Sequence, residues 1–194
     1  MKKTLFYSVA LAAGLAIAGS AVAAERGRDG EVRLIYWQAP STMNPYLSGG
    51  GKELEASSVV IEALARYDPD GNLVPWLVDE IPTVANGGVS KDLKSITWKL
   101  SEGLKWSDGS AVTSADVSFT YDYCTNPDTG CTQSNYYNDI ASIDTPDAQT
   151  VKINFTVPKP FPYAPFVGQN APIIQKAQFA DCVGANAHGC TDQN

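Results

Sequence analysis

Residues 104–123 read LKWSDGSAVTSADVSFTYDY. Trp106-Ser107-Asp108-Gly109 is a turn signal set between two apolar edges. Thr113 is a good helix N-cap, and Asp116, three residues on, can return its bond in a capping box. Val112 and Val117 occupy the two hydrophobic-staple positions around that cap. Val117, Tyr121 and Cys124 then fall on one helix face, with Phe119 and Tyr123 flanking it. A cap of this kind contributes about 1 kcal/mol. The stretch therefore predicts a turn followed by a sharply started helix docked on a sheet, and nothing in it calls for catalysis.

The segments on either side supply the sheet. SITWKL (95–100) alternates, with Ile96, Trp98 and Leu100 facing in. VKINFTV (151–157) repeats the pattern with Val151, Ile153, Phe155 and Val157. Both predict strands of a sheet with one wet face. PKPFPYAP (158–165) cannot be regular, because proline blocks ladder and helix bonding alike. The residues beyond it suggest a short strand, a short helix and a cysteine loop.

Upstream, KELEASSVVIEALARY (52–67) predicts a helix whose stripe is Leu54, Val60, Ile61 and Leu64. DPDGN (68–72) is a tight turn. LVPWLVDEIP (73–82) is short and apolar, and its prolines keep it from being one long element. EVRLIYW (31–37) predicts a strand; residues 34–37 are apolar on both faces, as in a strand buried on both sides. QAPSTMNPYLSGGG (38–51) is a loop long enough to need a structural or binding reason.

The first residues bear on compartment. Lys2 and Lys3 precede a charge-free apolar run, and Ala21-Val22-Ala23 offers a small-residue cleavage site, the pattern of a secretory signal peptide over 1–23. As a membrane anchor, the run would have too short an apolar core. The formal charge is -7, and removing the leader takes two lysines and no acid. So acidic a chain is a poor ligand for nucleic acid or anionic membrane. The remaining length suffices for one core.

The four cysteines of an exported chain are expected to be oxidised. Three pairings exist; the local one, Cys124–Cys131 with Cys182–Cys190, closes two short turn-rich loops, each contributing roughly 2–3 kcal/mol in a chain-entropy view. Cys182, His188 and Cys190 could also ligate zinc, but a disulfide is the expected use. His188 is the sole histidine, and no serine has a base-and-nucleophile pattern around it. Neither enzyme activity nor a cofactor is expected, and no phosphate loop is present.

The order of these segments resembles the family 5 extracellular solute-binding proteins, the peptide and nickel receptors of ABC importers. GLKWSDGSAVTSADVSFTYDY (103–123) is similar to that family's hallmark segment. Residues 44–82 resemble its amino-terminal loop, first helix and following turn; SITWKL and residues 147–167 resemble the strands before and after the hallmark. The resemblance runs from about Val32 to Asn194 and implies a periplasmic, monomeric receptor whose two lobes close on a solute and dock on an inner-membrane permease. The implied fold is α/β, periplasmic binding protein-like (type II), and incomplete, since family members run to several hundred residues. The chain is expected to be an amino-terminal fragment: leader 1–23, start of lobe one 24–58, inserted small subdomain 59–157, and a truncated return into lobe one 158–194.

The resemblance also implies contacts. Ser48, Gly49, Gly50 and Gly51 fall where the family's first lobe meets the ligand backbone, and bare main chain can pair there as an added strand would. Tyr136 and Tyr137 fall where the inserted subdomain turns an aromatic toward the cleft, although packing under the Cys124–Cys131 loop is an equal reading. Trp37 is a third candidate and is expected to be core. Short peptides are the expected solute; nickel or haem, known in the family, finds no histidine cluster here. The rival reading is a secreted, non-catalytic structural or adhesive domain.

Overall fold

The computed structural model describes Gly30 and residues 34–190; the leader and residues 24–29 lie outside the described residues. Residues 36–194 form one unit, while Leu34 and Ile35 belong to a separate amino-terminal one.

The alternating segments make the main sheet. Ser95–Lys99 (β3), Ile140–Asp144 (β4) and Thr150–Phe155 (β5) are antiparallel in the order β3-β5-β4. Ile96, Trp98, Val151, Ile153 and Phe155 all point into the core, as their period of two requires. Val157, expected to continue the inward row, is exposed. The strand stops at Phe155, and Thr156 N–H turns aside to the Asp139 carbonyl. β4 was not foreseen, because a register shift between Ile140 and Ser142 breaks its alternation.

Helix α2 (Ser114–Thr125) lies against this sheet. Its start is the expected one: the Asp116 carboxylate accepts from the Thr113 N–H at 2.8 Å and from its hydroxyl at 3.1 Å. The Ser114 hydroxyl donates to the Asp147 carbonyl in the turn between β4 and β5, which fixes the helix to the sheet. The buried face is centred on Val117, Thr120, Tyr123 and Cys124, and Tyr121 is only partly covered. Tyr123, placed on the flank by spacing, is thus central to the interface. The returning chain is pinned to the same helix, since Thr120 Oγ1 accepts from Ile174 N–H and Asp116 Oδ1 from Lys176 N–H. Helix α3 (Lys176–Phe179) follows. Disulfides join Cys124 to Cys131 and Cys182 to Cys190, and the two loops meet where Gly184 N–H donates to Thr129 Oγ1.

Two expectations fail at the amino-terminal end. The helix expected over 52–67 is only Gly51–Ser57 (α1), and Ala65–Tyr67 is instead a strand, β1. The Ser57 and Ser58 hydroxyls bond back to carbonyls of their own turn, and the following Val59-Val60-Ile61 is β-branched, which weakens helix further. β1 then pairs with Leu73–Pro75 (β2) across the DPDGN turn. Asp68 caps that turn and Gly71 takes φ +82°, a conformation suited to glycine. Val60, assigned to the buried stripe, is 64% exposed. Of the strand expected over 31–37, residues 31–33 lie outside the described residues, and residues 34–37 form no strand. A strand covered on both sides needs neighbours on both edges, and no described strand pairs with residues 34–37.

Candidate ligand-binding cleft

The hairpin that replaces the expected helix forms one wall of a cleft of about 640 Å³, within the range of small-molecule sites. β1 alternates, so Ala65 is buried while Arg66 faces outward. Trp76 follows directly on β2, and the Arg66 guanidinium carbon lies 3.2 Å from its ring centroid, a cation–π stack. The Trp76 indole N–H donates to Glu62 Oε1 at 2.7 Å, so the indole is held on its edge and on one face.

The opposite wall is the proline-rich return. Phe166 is fully buried at φ +61°, a position that costs a non-glycine residue on the order of 1–3 kcal/mol. Its carbonyl accepts from Leu64 N–H, and Gly168 N–H donates to the Ala65 carbonyl, so this strained turn is bolted to β1. Phe161 and Tyr163 stand edge to face, 5.1 Å apart, and the Tyr163 hydroxyl donates to the Pro82 carbonyl. Tyr136 closes the end, its hydroxyl accepting from Asn170 Nδ2 at 2.7 Å. Burial pushes the Tyr67 and Tyr163 phenols up, with Tyr136 adding to the effect at Tyr67. The cleft is therefore aromatic, with Arg66 and Glu62 as its charged side chains.

Of the expected contact residues, Tyr136 lines this cleft. Tyr137 does not. It is 3% exposed, its hydroxyl lies 2.8 Å from that of Tyr46, and its ring stands edge to face with Phe166. Burial pushes its phenol up strongly, and it packs as core. Trp37 is 77% exposed and belongs neither to the core nor to the cleft. Ser48, Gly49, Gly50 and Gly51 run past the chain beyond Cys131, with Gly49 close to Thr132, and are separate from the cleft lining.

Of the three glycines, Gly50 has a packing reason of its own. None of the three takes a positive φ. A Cβ on Gly50 would lie 2.4 Å from Glu53 Oε2, so a side chain there would force the Glu53 carboxylate to shift. Glu53 is 1% exposed, accepts from the Ser41 N–H and hydroxyl, and pairs with Lys52. Lys52 and the Ser41 N–H hold its carboxyl at about 2. Lys52 also donates to the Ala39 carbonyl, so the loop expected to meet ligand is closed on itself by this cluster.

Arg66, Trp76, Glu62 and Phe161 also line the cleft and were not singled out in the sequence. The helix assigned to 52–67 hid Arg66, although DPDGN between two short apolar runs is itself a hairpin signal. Among the described residues, no group of three His, Cys, Asp or Glu side chains could hold a metal ion, and Cys182 and Cys190 are bonded to each other.

The sequence pattern of the bacterial extracellular solute-binding proteins, family 5 (middle), matches residues 72–188. A probable ABC transporter-binding protein of Deinococcus radiodurans is 28% identical over 170 residues, which cover 80% of this chain and 27% of that protein. The periplasmic oligopeptide-binding protein OppA of Salmonella typhimurium is 31% identical over 105 residues, covering 53% and 18%. Among solved structures, Haemophilus influenzae OppA in complex with RPPGFSPFR superposes with a TM-score of 0.66 at 20% identity, over 74% of this chain and 30% of that one. The binding protein AgaA of A. tumefaciens in complex with agropinic acid gives 0.64 at 27% identity, over 73% and 28%. The chain thus spans less than a third of the length of these relatives. Its fold is that of part of an OppA-like periplasmic binding protein, and with the family pattern running from the hairpin turn to the second cysteine loop, the chain belongs to the bacterial extracellular solute-binding proteins of family 5.

Proposed function

We propose that this chain is the ligand-receiving part of a periplasmic receptor that captures short peptides and hands them to the membrane permease of an ABC importer. The observation that carries the reading is the family match over 72–188, together with relatives named for peptide binding. The aromatic cleft beside Tyr136 is the surface on which the solute rests, and a second lobe closes over it. Main chain at Ser48, Gly49, Gly50 and Gly51 supplies a second contact once Glu53 has fixed the loop. Residues 24–58 and 158–194 belong to lobe one and residues 59–157 to the inserted subdomain. Residues 1–23 direct export and are removed, so the mature protein begins near Ala24, which amino-terminal sequencing of the periplasmic product checks. Monomeric binding and delivery, without catalysis, complete the reading.

The test is calorimetric titration of the chain with pools of peptides of two to five residues. An open half-site predicts weak binding, on the order of millimolar Kd or about -4 kcal/mol. Heat with a sugar or a metal chelate, and none with any peptide pool, would remove the peptide assignment.

A further inference from the structure

Among the described residues, the cleft contains a cation with no anionic partner. Arg66 has Trp76 against it, 3.2 Å from guanidinium carbon to ring centroid. It makes no ion pair; those among the described residues are Lys52–Glu53 and Lys159–Asp139. The acid that lines the same cleft, Glu62, gives one oxygen to the Trp76 indole N–H instead. The arrangement fixes the indole, and the indole in turn restrains the guanidinium plane, leaving the edge donors available to a guest. A planar fork of N–H donors matches a carboxylate with two parallel bonds.

From this geometry we infer that Arg66 is the docking point for a ligand carboxylate, with an apolar or aromatic group of the same ligand held among Tyr67, Phe161 and Tyr163. The charge count selects the class. Among the described residues, Arg66 is the only cation lining the cleft and Glu62 lines it too, so a singly charged planar anion fits better than a phosphate, which ordinarily gathers several cationic or backbone donors. Stacking on Trp76 lowers the entropy lost when the fork closes on its guest. The inference rests on the reading of this cleft as the solute-receiving surface, and it names the group that the surface selects.

The test compares acids with their amides. N-acetylphenylalanine and its amide, and alanyl-phenylalanyl-alanine and its carboxamide, are titrated into the chain and into the Arg66→Gln and Arg66→Lys variants. Circular dichroism and melting temperature verify that each variant is folded. A charge-assisted hydrogen bond corresponds to roughly a tenfold to hundredfold preference for acid over amide. The preference is expected to vanish in Arg66→Gln, to survive in part in Arg66→Lys, and to shrink as salt is raised.

Equal binding of acid and amide by the unaltered chain overturns the inference, as does a preference unchanged in Arg66→Gln or no binding of either pair. The two levels fail separately. If the tripeptide and its amide bind alike, the carboxylate assignment falls and the peptide-receptor reading stands. If acetylphenylalanine binds through its carboxylate while peptides do not, the Arg66 site stands and the peptide reading falls.

Discussion

Asp116 holds two parts of the chain with one carboxylate. One oxygen caps α2 through Thr113, and the other accepts from Lys176 N–H at the start of α3. Alanine there removes a cap and leaves the part-buried Lys176 N–H without its acceptor. Asp116→Ala is therefore expected to lose about 2–4 kcal/mol, read from urea unfolding at neutral pH; a loss below about 0.5 kcal/mol would mean that water replaces both bonds. Glu53 acts through its charge. Its carboxyl is held at about 2, against 4.5 for a free side chain, so its ionised form favours the folded state. That contribution is complete above pH 4.5 and disappears as pH falls toward 2. Glu53→Gln should thus lower the melting temperature at pH 7 and narrow the gap to the parent chain at pH 2–3. A gap that widens on acidification would reverse this sign.

At the scale of elements, the parts governed by local chemistry were legible and the parts governed by partners were not. The cap at Thr113 and the alternation of Ile96 and Trp98 depend on near neighbours, and the structure has both. The end of α1 does not. Residues 58–64 leave the helix because Leu64 bonds to Phe166, Trp76 and Leu77, contacts that no local pattern encodes. β4 was hidden by its own bulge. Of the residues named as contacts, Tyr136 lines the cleft, while Arg66 and Trp76, which also line it, were concealed behind an expected helix that is a hairpin. The disulfide loops are elements whose effect can be measured. Each lies beside the other and closes a short span of seven or eight residues, and reduction should cost about 2–3 kcal/mol per loop. Reductant is expected to lower the melting temperature clearly, and a Cys124→Ser/Cys131→Ser pair should reproduce part of that fall. Free thiols in the oxidised protein would contradict it.

At the scale of the whole molecule, the core is closed around Trp98, Tyr46 and Tyr123, while apolar groups remain exposed in the cleft: Tyr67, Trp76 and Phe161. Scattered exposed apolar side chains are ordinary; several gathered around one cleft point to binding or to a covering body. On the proposed reading, a peptide lying between this surface and a second lobe would account for both. The four tryptophans report on it directly, since Trp76 is in the cleft, Trp98 in the core, and Trp37 and Trp106 elsewhere. The decisive measurement is a titration of the 15N-labelled chain with alanyl-phenylalanyl-alanine, following the four indole N–H resonances. The account predicts that the Trp76 signal moves saturably while the Trp98 signal stays in place. Saturable movement of Trp37 or Trp106 with Trp76 unmoved would place the peptide on another surface and contradict it.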